Sequence, residues 1–277
     1  EDAEDDGDPD VDEDVSSRII HTYDYKPWPN FLSIGRISNK QRFFGVELEI
    51  DNGGESDVNA SRLLELSDSE SLFYIKHDGS LNNGLEIVTH PATLKYHKHK
   101  FPWAEIIALA VSMGYRSHQT ETCGLHVHIS KASMGVWYTT VSKLVLLFWK
   151  HWDNLLIASR RYPLSAHHYA KNNIDKTLEE ARGNWKQCID SGVYPGDKYV
   201  AVNTNHPTSV EIRLFRGTLR LQSIIASIQL VDVLTDLAMS RGTTWAINST
   251  WENITDAVKK THYKELRSYL TDRHLMS

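Results

Sequence analysis

Alternating apolar and polar positions recur in short segments of this chain, with the period of a β-strand that buries one face. The clearest case is FGVELEI at 44–50, in which every second residue from Phe44 is apolar. This alternation, with enrichment in β-branched and aromatic residues, predicts strands over 43–50, 72–77, 85–89, 122–130, 199–203 and 209–215. The sequence Asn82, Asn83, Gly84 predicts a turn that joins the second and third strands as a hairpin.

Apolar residues spaced three or four apart predict amphipathic helices between these strands. The predicted helices cover 58–66, 104–113, 136–159, 176–187, 221–239 and 255–270, with Asp57 as the N-cap of the first. The segment 191–198, rich in glycine and proline, is predicted to be a loop. A hairpin together with helix-separated strands predicts an α+β fold, in which an antiparallel or mixed sheet has helices packed on one face.

Charge is unevenly distributed along the 277 residues. The first 14 residues hold ten acids and no base, and a segment of that composition cannot bury apolar surface. The rest of the chain, with 26 acids and 30 bases, has enough apolar residues for one large core. We therefore expect a disordered acidic leader over 1–15, an extended arm rich in aromatic residues and proline over 16–40, and a single domain over 41–277.

Composition also excludes several classes of protein. Two cysteines are too few for a disulfide framework or a cysteine-based zinc site. No basic run is dense enough to indicate nucleic-acid binding. The most apolar stretch that we identify, 141–157, is interrupted by charged residues and is not typical of a membrane span. We expect a soluble cytoplasmic protein that binds neither nucleic acid nor membrane.

Four of the predicted strands share one chemical pattern, because each sets charged or imidazole side chains opposite an apolar set. If these strands belong to one sheet, its polar face carries Glu47, Glu49, Glu86, His126, His128, Glu211 and Arg213. Closely spaced carboxylates repel each other unless a cation lies between them. Oxygen-rich ligation with one imidazole suits Mg²⁺ or Mn²⁺ better than zinc.

Each motif taken alone has an ordinary structural explanation. The pair Glu47 and Glu49 is typical of a solvated strand face, and Glu211 with Arg213 is typical of an ion pair on one strand. The motif at 78–80 is by itself a turn. The recurrence of the pattern in four strands is what favours a common site.

Four ordered stretches of this chain resemble the amidoligase family, a branch of the glutamine synthetase-like carboxylate–amine ligases. The stretches are FFGVELEI at 43–50, HDGSLNNGLEIVTHP at 77–91, CGLHVHIS at 123–130 and VEIRLFRGTL at 210–219. The resemblance covers roughly residues 20–240. It implies a curved antiparallel sheet like the catalytic domain of glutamine synthetase, with helices on the convex side and ATP and metal ions on the concave side.

The resemblance also implies roles for individual residues. Its metal ligands would be Glu47, Glu49, Glu86, His126 and Glu211. Its phosphate-facing residues would be His128, Arg213 and Arg216, although strict alternation places Arg216 on the apolar face unless a β-bulge intervenes. Asp78 stands where glutamine synthetases have a glutamate, and its side chain is shorter by one methylene group.

The function that follows from the resemblance is ATP-dependent formation of an amide or peptide-type bond through an acyl phosphate, with ATP and Mg²⁺ or Mn²⁺ as cofactors. The substrates would be a carboxylate and an amine, including those of peptides or proteins. One alternative is a metal-dependent hydrolase or phosphotransferase that uses the same acidic face. Another is an inactive module that binds a nucleotide or a peptide.

Overall fold

The computed structural model describes residues 18–38, 41–172 and 199–277, and the structural statements below refer to those ranges. The predicted leader, helix 176–187 and loop 191–198 therefore fall outside the described residues. The strands are β1 (Phe43–Ile50), β2 (Phe73–Lys76), β3 (Leu85–Thr89), β4 (Ala92–Thr93), β5 (Gly124–Ser130), β6 (Val202–Asn203) and β7 (Ser209–Arg216). The helices are α1 (Asp57–Leu64), α2 (Leu94–His99), α3 (Trp103–Ser112), α4 (Trp137–Lys150), α5 (Trp152–Ser159), α6 (Pro163–Tyr169), α7 (Leu221–Ser240), α8 (Thr243–Asn248), α9 (Trp251–Lys260) and α10 (Lys264–Thr271).

The strands form one sheet in the order β2-β3-β1-β5-β7-β6, and β4 pairs with β1. All of the strand pairings are antiparallel. The chain is thus a mixed α/β protein built on an antiparallel sheet, which confirms the predicted fold class at that level. The four strands that carry the polar pattern are consecutive neighbours, so their polar side chains lie in adjacent rows.

The apolar side chains of β1 and β5 point away from the polar set and into the core. Val46, Leu48, Leu125 and Val127 have no exposed surface. Burying one such side chain contributes about 1.5–3 kcal/mol to stability, so this face fixes which way the strands turn. Helix α7 packs behind the sheet and is itself covered by α4 and α10.

Helix α7 is long and apolar enough to cross a membrane by length and composition. Its apolar window is, however, 83% buried inside the structure, as in the core helix of a globular domain. The sequence analysis predicted this helix over 221–239 but took 141–157, rather than this segment, as the most apolar stretch. Its buried residues run almost without interruption from Ser223 to Ala238, because other elements cover it on several sides.

Several helix boundaries differ from the predicted ones. Ser56 rather than Asp57 is the N-cap of α1, and its hydroxyl accepts the N–H of Asn59 at 3.4 Å. The predicted helix 136–159 is divided into α4 and α5 at His151, a buried residue whose Nε2 lies 2.8 Å from the Ser249 hydroxyl. The backbone of His151, with φ −110° and ψ 26°, departs from helical geometry at that point.

A second predicted helix, 255–270, also proves to be two helices. Helix α9 begins earlier, at a capping box in which Thr250 and Asn253 exchange hydrogen bonds. It ends at Thr261, whose backbone is extended and whose hydroxyl donates to the carbonyl of Val258 at 2.8 Å. Helices α6 and α8, and the short strand β4, were not predicted from the sequence.

The predicted hairpin between β2 and β3 is present. Gly84 ends its turn against the neighbouring strand, where a Cβ atom would lie 2.1 Å from the carbonyl oxygen of Ile50. Only glycine allows the two backbones to approach this closely. The turn is also held by Asp51, whose carboxylate accepts the backbone N–H groups of Asn82 and Asn83.

The described part of the arm, residues 18–38, lies against the edge of the sheet formed by β2. His21 forms a β-bridge with Lys76, and its ring stacks on Tyr25 at 3.5 Å between centroids. Of the aromatic residues in this arm, Tyr23 lines the cleft that lies over the polar face of the sheet, whereas Tyr25 packs on His21 and Trp28 is 95% exposed.

Candidate functional site

Strand register brings the predicted polar residues together on one face. Glu47 on β1 is the register partner of His126 on β5, and Glu49 is the partner of Glu86 on β3. His128 is the partner of Glu211 on β7. Because register partners in an antiparallel sheet project to the same side, these residues form a continuous cluster across four strands.

His126 lies at the centre of this cluster, and its ring is 97% buried. Its Nδ1 atom is 3.1 Å from Glu47 Oε2 and 3.3 Å from Glu211 Oε1. Its Nε2 atom is 3.7 Å from Glu49 Oε1. One imidazole therefore contacts carboxylates from three positions, and the atoms of Glu47, His126 and Glu211 are close enough to share one metal ion.

Two further groups of side chains have the spacing of metal ligands. One consists of Glu49, Glu86 and His126, and is fully buried. The other consists of His128, His206 and Glu211. His206 was not predicted; it lies in the loop before β7, and its Nε2 atom is 3.0 Å from Glu211 Oε2. With two imidazoles and one carboxylate, this last group is richer in nitrogen than the predicted site.

The carboxylates of the cluster differ in proton affinity. Burial by itself would raise the pKa of Glu47, but the charge of His128 and the hydrogen bond with His126 hold that pKa well below its usual value. Burial also opposes ionisation of Glu211, and there His206 and His128 lower the pKa. Two of the buried acids are thus stabilised as carboxylates by the imidazoles beside them.

Glu86 and Glu49 behave in the opposite way. Burial, followed by the charge of Glu47, raises the pKa of Glu86 well above its usual value. Burial also raises the pKa of Glu49, only partly offset by His126. Lys76 lies 3.6 Å from Glu86 and does not neutralise it fully. At this end of the cluster the two buried carboxyl groups are therefore less readily ionised than Glu47 and Glu211.

Asp78 lies in the loop between β2 and β3 and lines the same cleft. Its Oδ1 atom accepts the backbone N–H of Ser80 at 2.7 Å, which shapes the turn. It belongs to none of the three ligand groups found among the described residues. Asp78 is therefore part of the cleft wall but not of the metal-type cluster.

A β-bulge in β7 positions Arg213. Leu125 pairs with Phe215 and Val127 with Ile212, so one residue of β5 faces two residues of β7. Arg213 occupies the bulge and donates a hydrogen bond to Glu211. Its guanidinium also lies 5.9 Å from the ring centre of Tyr199. The cleft therefore has a positive charge beside its acidic floor.

Arg161 is a second cleft arginine, and the sequence interpretation missed it. It follows helix α5 and is 94% buried. Its Nη1 atom donates to the carbonyl oxygens of Arg213 and Phe215 at 3.0 and 3.2 Å, which holds the bulge in place. The side chains of Arg161 and His126 pack against the backbone of Gly124, where a Cβ would lie only 3.1 Å from Arg161 and 2.7 Å from His126.

Arg216 does not join the other predicted residues. Because of the bulge, Arg216 pairs with Gly124, which has the same alternation as His126 and His128. Arg216 is therefore in register with the polar face, as predicted for a strand with a β-bulge. Its guanidinium, however, stacks on Tyr162 at 4.4 Å and lines a separate small cavity near the start of α7. The structure thus brings Arg213 to the cleft and leaves Arg216 outside it.

The cleft above the cluster has a volume of about 520 Å³, enough for a ligand of nucleotide size. Its walls include Glu49, Asp78, His126, Arg161, Tyr169 and Arg213. This lining combines acidic and imidazole groups with arginine and tyrosine side chains. His206 and Arg161 come from loops, where strand alternation gives no signal. His206 lies three residues before β7 in the sequence, whereas Arg161 is brought to β7 by the fold.

The fold and site define a mixed α/β protein whose antiparallel sheet carries a metal-type cluster on one face. No family model matches the sequence, and no curated protein matches it. Among solved structures, the chain is similar to one from the crystal structure of the complex between the prokaryotic ubiquitin-like protein Pup and its ligase PafA. The TM-score is 0.40 and the identity 10%, over 85% of this chain and 62% of that chain. The chain thus spans about three fifths of the matched chain, and a likeness this low decides nothing about function.

Proposed function

We propose that this protein is an ATP-dependent carboxylate–amine ligase that forms an amide or peptide-type bond. The observation that carries the proposal is the cluster of half-buried Glu47 with buried His126 and Glu211, and with Arg213 beside it. Such a set combines ligands for divalent cations with a fixed cation for phosphate oxygens. The proposal includes residues 41–277 as a single catalytic domain.

Divalent cations fit the donor atoms of this cluster. Glu86 Oε2 is buried and has no hydrogen-bond partner among the described residues. His128 Nε2 lies 3.0 Å from Glu47 Oε1, yet the two atoms lack the geometry of a hydrogen bond. Polar atoms buried side by side without bonding to each other are expected where both face a common ion.

We assign the metal ligands as Glu47, Glu49, Glu86, His126 and Glu211, and we add His206. Mg²⁺ or Mn²⁺ bound there would offset the negative charge of the carboxylates, ATP and the acid substrate. The sheet holds the five ligands that lie on strands rigidly, because every one of those strands is paired on both sides. This rigidity supports in-line transfer, which depends on positioning.

Arg213 and His128 would contact phosphate oxygens. The carboxylate substrate attacks the γ-phosphorus of ATP, the bond to the β-phosphate oxygen breaks, and ADP leaves. Arg213 stabilises the charge that spreads over the γ-phosphoryl oxygens in this step. His128 carries a raised pKa because the charge of Glu47 outweighs its burial, so it can donate a proton or hydrogen bond to phosphate.

The second step is attack of an amine on the acyl phosphate, which forms the amide and releases phosphate. The amine must lose a proton for this attack. We assign that proton to Asp78, which lines the cleft and lies outside the proposed ligand set. Arg216 is left out of this scheme because its side chain lines the other cavity.

The experiment is a screen of ATP consumption with pools of carboxylates and amines, including peptides. We expect ADP only when both kinds of substrate and Mg²⁺ or Mn²⁺ are present. Mass spectrometry should find a product lighter by one water than the sum of its parts. Metal-dependent hydrolysis without ATP would instead support the hydrolase alternative, and ATP binding without turnover would support a binding module; either result overturns the ligase.

A further inference from the structure

A second cavity lies at the start of helix α7 and has a strongly basic lining. Its walls include His118, Arg160, Arg216, Thr218, Ser223 and Tyr269. None of the residues that line this cavity lines the cleft described above. Whatever binds here would therefore bind at a site separate from the proposed metal cluster.

The positive charge around this cavity is not balanced by the described residues. Arg116, Arg160, Arg216 and Arg220 form no ion pair with a described carboxylate, and Arg216 instead stacks on a tyrosine ring. The pKa of His118 is lowered by burial and then by the charges of these same arginines. Cations that converge without a partner repel each other and favour binding of an anion.

The first turn of α7 supplies uncharged hydrogen-bond donors in addition to the arginines around the cavity. The helix has 20 residues, and no side chain caps its N-terminus. The N-terminal end of a helix dipole favours anions, and Ser223 in this first turn brings that end of α7 to the cavity wall. Ser223, in this first turn, is 95% buried and lines the cavity, and its hydroxyl has no hydrogen-bond partner among the described residues.

We propose that this cavity binds phosphate, either as the free dianion or as the phosphoryl group of a small phosphomonoester. A tetrahedral dianion offers enough oxygens to accept hydrogen bonds from Arg160, Ser223 and the helix amides together. The cavity holds about one water molecule as it stands. Arg160 and Arg220 are exposed, so their head groups can move outward to admit the larger anion.

Calorimetric titration of the full chain with inorganic phosphate tests the site, in buffer with EDTA and at constant ionic strength. Arg160→Asn is a suitable variant, because Arg160 has a φ of 59° and asparagine tolerates that conformation. We expect its Kd for phosphate to rise about tenfold or more. Ser223→Ala should raise the Kd by a smaller factor. A parallel titration with O-phosphoserine shows whether free or esterified phosphate binds more tightly.

The matched control is Arg62→Gln, which removes one exposed charge on α1 and should leave the Kd unchanged. Equal weakening by Arg62→Gln and Arg160→Asn would mean a general charge effect and would overturn the site. So would the absence of saturable binding at millimolar phosphate. Loss of binding in Arg213→Ala, with retention in Arg160→Asn, would place phosphate in the cleft. None of these measurements uses metal or ATP, so their outcome is independent of the ligase proposal.

Discussion

Glu47 and His126 face each other across neighbouring strands, and Glu47 Oε2 lies 3.1 Å from His126 Nδ1. The same nitrogen lies 3.3 Å from Glu211 Oε1 on β7, the strand on the other side of β5. One buried imidazole thus links carboxylates from both adjacent strands. Residues linked in this way act as a unit, so we expect changes at single positions to have effects that do not add.

Glu49→Gln tests the metal assignment. Glutamine keeps the size of the side chain and an oxygen that can accept the N–H of Gly124, but it removes the charge. We expect an unchanged fold and a fall of about 100-fold or more in metal-dependent nucleotide turnover. Circular dichroism and ADP release measure the two properties. Exposed Glu65→Gln is the matched control, and full activity of Glu49→Gln would exclude Glu49 as a ligand.

Arg213 should matter more in the transition state than in ATP binding. Its guanidinium meets charge that grows on the γ-phosphoryl group, so Arg213→Ala should lower kcat by about 100-fold with a smaller effect on the KM for ATP. Arg213→Lys keeps the charge but loses the planar fork, and should recover part of the rate. Steady-state kinetics of the three proteins measure this. Equal turnover in all three would make Arg213 a structural residue.

Asp78→Asn separates the two chemical steps. Asparagine retains an oxygen for the backbone N–H of Ser80, so the turn should persist. We expect amide formation to fall by about 100-fold, because the amine loses its proton acceptor. Acyl phosphate formation, trapped with hydroxylamine, should fall much less. Exposed Asp153→Asn serves as control. Equal loss of both steps would assign Asp78 to ATP or metal binding instead.

His206 should influence which metal the protein prefers. Together with His128 it supplies a second imidazole next to Glu211, and imidazole favours Mn²⁺ over Mg²⁺. His206→Asn should raise the Kd for Mn²⁺ by about 10-fold or more while changing the Kd for Mg²⁺ less. Calorimetric titration with each metal alone measures both values. Exposed His99→Asn is the control, and an unchanged Mn²⁺ affinity in His206→Asn would remove His206 from the ligand set.

His97 should make stability depend on pH. It is fully buried, its Nε2 donates to the Phe44 carbonyl at 2.9 Å, and burial lowers its pKa to about 4. Between pH 6.5 and pH 4 the unfolded chain binds a proton at His97 and the folded chain does not. Stability is therefore lost as the pH falls, by roughly 3 kcal/mol from this group.

The corresponding experiment is urea unfolding of wild type and His97→Gln at a series of pH values. Glutamine can still donate to Phe44 but does not titrate, so its curve should fall less steeply below pH 6.5. The difference between the two proteins isolates His97 from the carboxylates, which titrate in both. Parallel curves would show that His97 becomes protonated without cost.

The sequence predicted β1 and β3 at their observed bounds and placed Glu47, Glu49, Glu86, His126, His128 and Glu211 on one face. This succeeded because strand alternation is a local property: with a period of two, burial of one set of side chains fixes the direction of the other. Register could not be read in the same way. The pairing of Glu47 with His126 depends on how two distant strands align.

Tertiary structure decided the remaining features. The bulge at Arg213 exists because β7 pairs with β5 and Arg161 binds its carbonyl groups, contacts that join residues far apart in the chain. The helix divides at His151, whose side chain contacts the distant Ser249, and His206 joins the cluster from a loop without periodicity. The sequence by itself thus determined which side chains face the site along each strand. Packing between distant segments determined how they meet, because those contacts depend on the whole fold rather than on local pattern.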